Sequence, residues 1–255
     1  MIYIINTKTF IFAKKNNMSD FENVVRSRRS IRNYEKTDHF DHDIVKKSLE
    51  LSILSPNSSN MQLWEFYRII SPEAKEKIAY FCLDQVPAKT ASELVVFVAR
   101  PDHVKRSIKF NLDLINDPDN FEKESRKEKR RHYFSKTMPL FYSKDFLFVF
   151  SIIKKLIVTF TGFKRPSVRE VTVIDKKVTI HKSIALAAQT FMLAVRNFNY
   201  DTCPLEGYDS YRIKKYLKLP KQAQINMVVA VGKSATDGVW YPQKRFSYSE
   251  VVKEI

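Results

Sequence analysis

Arg28-Arg29-Ser30-Ile31-Arg32 packs three guanidinium groups and a hydroxyl into five residues, directly after a short amphipathic run. Guanidinium forks match phosphate oxygens two bonds at a time and a serine hydroxyl adds another donor. The cluster, at a helix-to-loop junction, therefore suits a phosphate monoester. A basic pentapeptide also occurs as a plain solvated face, and alone it does not separate the two readings. The stretch that decides the fold follows: Ser55-Pro56-Asn57-Ser58-Ser59-Asn60-Met61-Gln62-Leu63-Trp64-Glu65-Phe66. It is a turn-forming run of small hydrogen-bonding side chains that stops at an aromatic strand.

Working outward, Asp41 or His42 opens a helix whose Ile44, Val45, Leu49, Ile53 and Leu54 recur at helical spacing until Pro56 ends it. Before it, Ser19 or Asp20 caps a helix to about Ser27 with Phe21, Val24 and Val25 inward. Leu63 to Ile70 reads as a strand, Ser71-Pro72-Glu73 caps a helix to about Leu83, and Glu93 to Ala99 is an apolar, β-branched strand of the buried kind. Pro101 to about Arg131 reads as helical and increasingly charged. Ser183 to Phe198 is apolar nearly all round, which requires burial on every side and suits the central helix of a dimer. Asp209 to Leu217 is a shorter helix and Ala223 to Val231 a core strand. Strands and helices mix without regular βαβ repeats, so the fold class is α+β.

With 255 residues, 44% of them hydrophobic, the chain can bury a sizeable core, and one domain is expected. Residues 1–17 lack a basic run before their apolar residues and a small-residue cleavage site. They read as a disordered N-terminal extension rather than a secretory signal, with the domain over 18–255. The two cysteines, Cys82 and Cys203, are too few and too far apart for a disulfide framework, which points to a reducing, cytoplasmic setting. The five histidines are scattered, and the close pair His39 and His42 reads as surface, so no metal is expected. The formal charge of +16 favours anionic partners. Only four glycines are present and none forms a dinucleotide fingerprint, so arginines must hold any phosphorylated cofactor.

Taken together, the arginine-serine cluster and Ser-Pro-Asn-Ser-Ser-Asn-x-Gln-x-Trp-x-Phe resemble the FMN-dependent nitroreductase family. Pro204-Leu205-Glu206-Gly207-Tyr208-Asp209 and the late Tyr241-Pro242-Gln243-Lys244-Arg245 fit the same family in the same order. The resemblance covers most of 20–110 and 180–250. It implies a mixed, mainly antiparallel sheet flanked by helices in an intertwined homodimer, with FMN as cofactor and NADH or NADPH as electron donor. It also implies ping-pong reduction of a nitroaromatic, quinone or similar conjugated acceptor. Carried over by position, it assigns Arg28, Ser30 and Arg32, with the backbone around Arg29, to the FMN phosphate, ribityl chain and ring edge, and Arg245 to the phosphate. Pro56, Asn57, Ser58 and Asn60 would approach the same flavin from the other subunit. Pro204, Leu205, Glu206 and Gly207 would run along the ring, with the backbone of Glu206 and Gly207 near N5, while Gln85 and Ser183 would meet the pyrimidine edge. No side chain is implied as a catalytic acid or base, since the flavin carries the chemistry. Leu63 stands where the family has proline, and Gln243 where many members have lysine. Alternatives within the fold are dehalogenation or flavin breakdown. Outside it stands a basic binding protein for nucleic acid or membrane, though the chain lacks recognised nucleic-acid motifs and no specific nucleic-acid partner is expected.

The resemblance does not cover Glu122 to Arg169, which carries thirteen Lys or Arg against four Asp or Glu, a net of +9. We read 122–169 as an insertion. Tyr133, Phe134, Phe141 and Tyr142 bring aromatics that can stack on a planar acceptor, and two apolar runs, Phe146 to Ile153 and Leu156 to Phe163, flank Lys154 and Lys155. Each run is too short to span a bilayer. The insertion is either a lid that selects the acceptor or a segment lying in a membrane interface.

Overall fold

The computed structural model describes residues 20–37, 39–143 and 149–255. The extension 1–17 and the first residues of the apolar run 146–153 lie outside them. Among the described residues, four strands form one sheet, β1 (Trp64–Ile69), β2 (Glu93–Ala99), β3 (Asp201–Leu205) and β4 (Gln224–Gly232), in the order β1-β2-β4-β3. All three pairings are antiparallel, and among the described residues the parallel contact is an isolated bridge from Ser30, outside any strand, to Thr202 in β3.

Every residue of β2 is buried. Because side chains alternate along a strand, Val95, Phe97 and Ala99 enter one core, while Leu94, Val96 and Val98 enter another on the opposite face. The first core is closed by α2 (His42–Ser52) and the long α9 (Val173–Asn197), and the second by α3 (Pro72–Phe81), α4 (Val86–Thr90) and α10 (Ser210–Tyr216). Glu93 sits at the head of β2 with no exposed surface. It accepts from Arg68 Nε at 2.7 Å and Nη2 at 3.0 Å, and lies 2.7 Å from His42 Nδ1. His42 is thus exposed yet tied to a buried carboxylate. A buried carboxylate left without its arginine is costly.

The boundaries follow local chemistry. Asp41 caps α2, Ser71 caps α3 with Pro72 in its first turn, and Asp209 caps α10. α9 begins ten residues before the predicted start, at a capping box of Thr172 and Asp175. It has the length and composition of a membrane span, but Ile184, Ala187, Phe191 and Val195 are fully buried in the first core, which makes it a core helix.

The region 101–131 is not one helix. A 3-10 turn (Pro101–His103) leads into α5 (Val104–Asn116). The chain then breaks at Asp117, whose side chain accepts from the Asp119 N–H, and resumes as α6 (Glu124–His132). β3 was not anticipated. The first helix, α1 (residues 20–27), leaves Phe21 and Val25 exposed rather than inward, and Ile53 and Leu54 are exposed past the end of α2.

Three helices end in a left-handed residue that is not glycine: Leu83 after α3, Asn199 after α9 and Lys218 after α10, with φ of 59°, 61° and 53°. Each carries the paired closing bonds of a Schellman turn, such as Asp84 N–H to Ala79 O and Leu219 N–H to Lys214 O, both within 3.1 Å. A Cβ in this region costs about 1–2 kcal/mol, partly offset by the greater freedom of an unfolded glycine. Leu83→Gly with Lys218→Gly is expected to raise stability by about 1 kcal/mol, read as a higher midpoint in urea at unchanged slope. Arg68→Met is expected to cost about 3–5 kcal/mol in the same titration.

Candidate functional site

The predicted residues gather into two groups at opposite margins of the sheet. The first is anchored on β3. Ser30 bridges Thr202, the Ile31 N–H donates to Thr202 O at 3.1 Å, and the Arg32 N–H donates to Gly238 O at 2.7 Å. These bonds hold the arginine cluster against the sheet edge and bring the tail after β4 alongside. Arg29 Nη2 donates to the Tyr241 carbonyl, Arg32 Nη1 donates to Cys203 Sγ at 3.5 Å, and the Arg32 guanidinium stacks 5.8 Å from the Trp240 ring centroid.

Arg28 is half-buried, and its guanidinium is held below its ordinary pKa by burial first, then by the charges of Arg245 and Arg29. Three cations from two ends of the chain thus share one edge. Among the described residues Arg245 donates to the neighbouring Lys244 carbonyl, at 2.6 Å, and Arg29 to a backbone carbonyl. Such crowding is relieved by an anion with several oxygens. The donor set therefore fits a phosphate monoester. Beneath it Cys203 is fully buried, and burial outweighs Arg32 and Arg28 in pushing its thiol up.

Pro204 and Leu205 continue β3 away from the arginines, and Glu206 and Gly207 follow it. Gln85 joins them. Its Nε2 donates to Gly207 O at 2.7 Å and to Cys82 O at 2.9 Å, so both amide protons are used and its carbonyl oxygen remains as an acceptor. A Cβ at Gly207 would stand 3.2 Å from that same Nε2, so the glycine keeps the approach open.

The second group is the loop before β1. Asn57 accepts from the Gln62 N–H at 2.9 Å, the Ser58 N–H donates to Ser183 Oγ on α9 at 3.2 Å, and Asn111 on α5 donates to Asn60 O at 2.9 Å. Ser59, Asn60 and Gln62 all have φ near +50°. Non-glycine residues stay there only when surrounding contacts over-determine them. The segment 122–169 supplies one such contact, since Tyr133 OH and Ser59 Oγ share a bond of 2.7 Å. Tyr142 faces Asn57, Ser58 and Ser183 across a small pocket, and burial raises its phenol to about 12. Phe141 is half-buried against Tyr142, edge to face at 4.9 Å, whereas Phe134 is a buried core residue.

Trp64, which follows the loop, and Ser30 stand four inter-strand spacings apart, roughly 19 Å across the sheet, and are further offset along it because Trp64 is in register with Gln224 at one end of β4 and Thr202 with Val231 at the other; Ser183 lies beside the loop and Gln85 beside β3. Within one protomer, the two groups do not meet. Sequence reasoning missed Asn111, Thr202 and Trp240. Only Trp240 carried a signal, as an aromatic beside the Tyr241 motif. Among the described residues no three His, Cys, Asp or Glu side chains converge on a metal-sized site.

Helices on both faces of one antiparallel sheet, with arginines on one sheet margin and a strained polar loop on the other, make this a three-layer α+β domain. The chain belongs to the nitroreductase family, whose sequence model matches residues 25–233. It is 28% identical over 226 residues to YdgI of Bacillus subtilis, named provisionally as an NAD(P)H nitroreductase, covering 86% of this chain and 91% of that protein. Among solved structures, ydfN of B. subtilis superposes with a TM-score of 0.69 at 18% identity, covering 93% of this chain and 100% of that one. A nitroreductase-like protein of Exiguobacterium sibiricum, solved in complex with FMN, superposes at 0.62 and 23% identity over 92% and 97% of the two chains. The expectations of family, α+β class and enzyme stand on these matches.

Tyr133→Phe is expected to loosen the loop without unfolding the domain. A neutral hydrogen bond contributes about 1 kcal/mol, so hydrogen exchange at residues 58–62 should speed up about fivefold while β2 stays protected.

Proposed function

We propose that the chain is a homodimeric, FMN-dependent NAD(P)H oxidoreductase that passes electrons to a small conjugated acceptor, a nitroaromatic or quinone. The observation that carries this reading is the crowding of Arg28, Arg29 and Arg245 at the β3 margin, a cation cluster that suits the phosphate of FMN. The FMN complex of the E. sibiricum relative and the name of YdgI support the cofactor and the donor.

A second copy completes the site. Asn57, Ser58 and Asn60 stand too far from their own arginines, so we assign them to the flavin of the partner. The exposed apolar residues Phe21, Leu54 and Leu186, with Trp240, Tyr241 and Phe246 of the tail, suit burial between two protomers. FMN supplies hydride chemistry when bound. The chain's residues bind and orient. Arg28 and Arg245 would neutralise the phosphate, the segment Pro204–Gly207 would lie along the ring with the Glu206 and Gly207 backbone toward its reactive edge, and the Gln85 carbonyl oxygen would accept from the pyrimidine edge. Tyr133, Phe141 and Tyr142 face the acceptor and shed water from it, with Phe134 anchoring them in the core. Cys82 and Cys203, both free and buried, suit the cytoplasm.

Arg28→Ala or Arg245→Ala is expected to weaken FMN binding about ten- to a hundredfold without loss of secondary structure, the value of one charge-assisted contact. Unchanged affinity in both variants would move the phosphate elsewhere. The loaded protein is expected to be yellow and to bleach anaerobically with NADH or NADPH. A flavin that neither nicotinamide reduces would remove the reductase reading. Size measurement at micromolar concentration should give a dimer.

A further inference from the structure

The described part of the two apolar runs, from Val149 onward, forms one helix, α8 (Val149–Lys164), and it is turned inside out relative to an ordinary surface helix. Ile152, Ile153, Leu156, Ile157, Phe160 and Phe163 are all exposed, Phe163 by 79%. At 100° per residue they fill one sector of about 140°. The opposite side carries Ser151, Lys154, Val158 and Gly162, and this is the side that packs against the chain. Lys154 Nζ donates to Leu140 O at 2.8 Å and Ser143 Oγ at 3.1 Å, Ser167 Oγ donates to Val158 O at 3.1 Å, and the Val173 N–H donates to Ser151 Oγ at 3.3 Å. The polar face is fixed inward by hydrogen bonds and the apolar face outward.

We propose that α8 docks the protein on an anionic phospholipid bilayer, lying in the interface plane with the Ile152–Phe163 face among the upper acyl chains. Three observations favour that occupant. The sixteen described residues of α8 span about 24 Å and carry Lys154 and Lys155 near their middle, which would be costly inside a hydrocarbon core but suits an interface. Basic groups surround the apolar sector: Lys155 beside it, then Lys164, Arg165 and Arg169 after its end, all exposed. Lys155 donates to the Arg169 carbonyl, and Arg169 Nη2 to the Gly162 carbonyl, so neither charge is neutralised by these bonds. Finally, 122–169 carries a net of +9 in a chain of +16, which repels a second such face and is attracted by lipid phosphates.

The test is co-sedimentation of the full chain with vesicles of phosphatidylcholine, with and without phosphatidylglycerol. The proposal expects binding to the anionic vesicles at least about tenfold tighter than to the neutral ones, weakening as salt rises. The triple variant Leu156→Ser, Phe160→Ser, Phe163→Ser should lose at least about tenfold of that binding while keeping its helical circular dichroism. Wild-type protein that stays in the supernatant overturns the proposal, as does a triple variant that binds like wild type. Loss of oligomeric mass in that variant, with no vesicle binding by the parent, would assign the face to a second copy and equally overturn it. Should the triple variant not fold, Phe160→Trp decides. Its added fluorescence must be quenched by brominated acyl chains in anionic vesicles, and an unquenched signal ends the proposal.

Discussion

A seven-residue strand with no solvent on either face constrains everything else. Because β2 buries both of its faces, the domain needs two separate apolar cores and a helical layer for each. The surroundings of β2 then have no place for a charged ligand, since both of its neighbours pair its backbone and its side chains after Glu93 are Val, Leu, Ala and Phe. Polar function is displaced to the margins, and both groups of the proposed site lie there. Glu93 is the exception, a fully buried carboxylate that Arg68 and His42 compensate directly.

Two kinds of stored cost mark those margins. At β3 the cost is electrostatic, with Arg28 desolvated and crowded by Arg29 and Arg245. At the loop before β1 it is conformational, with Ser59, Asn60 and Gln62 in the left-handed region and fastened by Asn111, Ser183 and Tyr133. A chain with four glycines has few unstrained ways to turn sharply, so it relies on packing and side-chain hydrogen bonds. Both costs occur where a ligand can repay them.

Much of this was legible in the residues because long periodic segments and caps are local signals. β2 was read with its observed limits, and Asp41, Ser71 and Asp209 cap where expected. β3 was not legible: five residues containing a proline, a threonine and an aspartate show no alternation, and the strand exists because β4 supplies its partner. The break after α5 was missed because its charge pattern continues into α6 while Asp117 turns the chain through its own side chain. Phe21 and Val25 of α1 were misplaced because helical spacing says which residues share a face but not which face is covered. The candidate site came from motif order rather than periodicity. That order says which segments belong together but not that Asn111 would brace Asn60.

The separation of the two groups across the sheet also has a genetic consequence. If each flavin takes its arginines from one chain and its loop from the other, a defect in either group belongs to a half-site rather than to a chain. Co-expression of a subunit lacking Arg28 with one lacking the Asn57–Asn60 contacts would yield mixed dimers in which one pocket collects both lesions and the other none. Two individually inactive alleles would then complement each other, and a single faulty allele would lower activity by dose rather than abolish it.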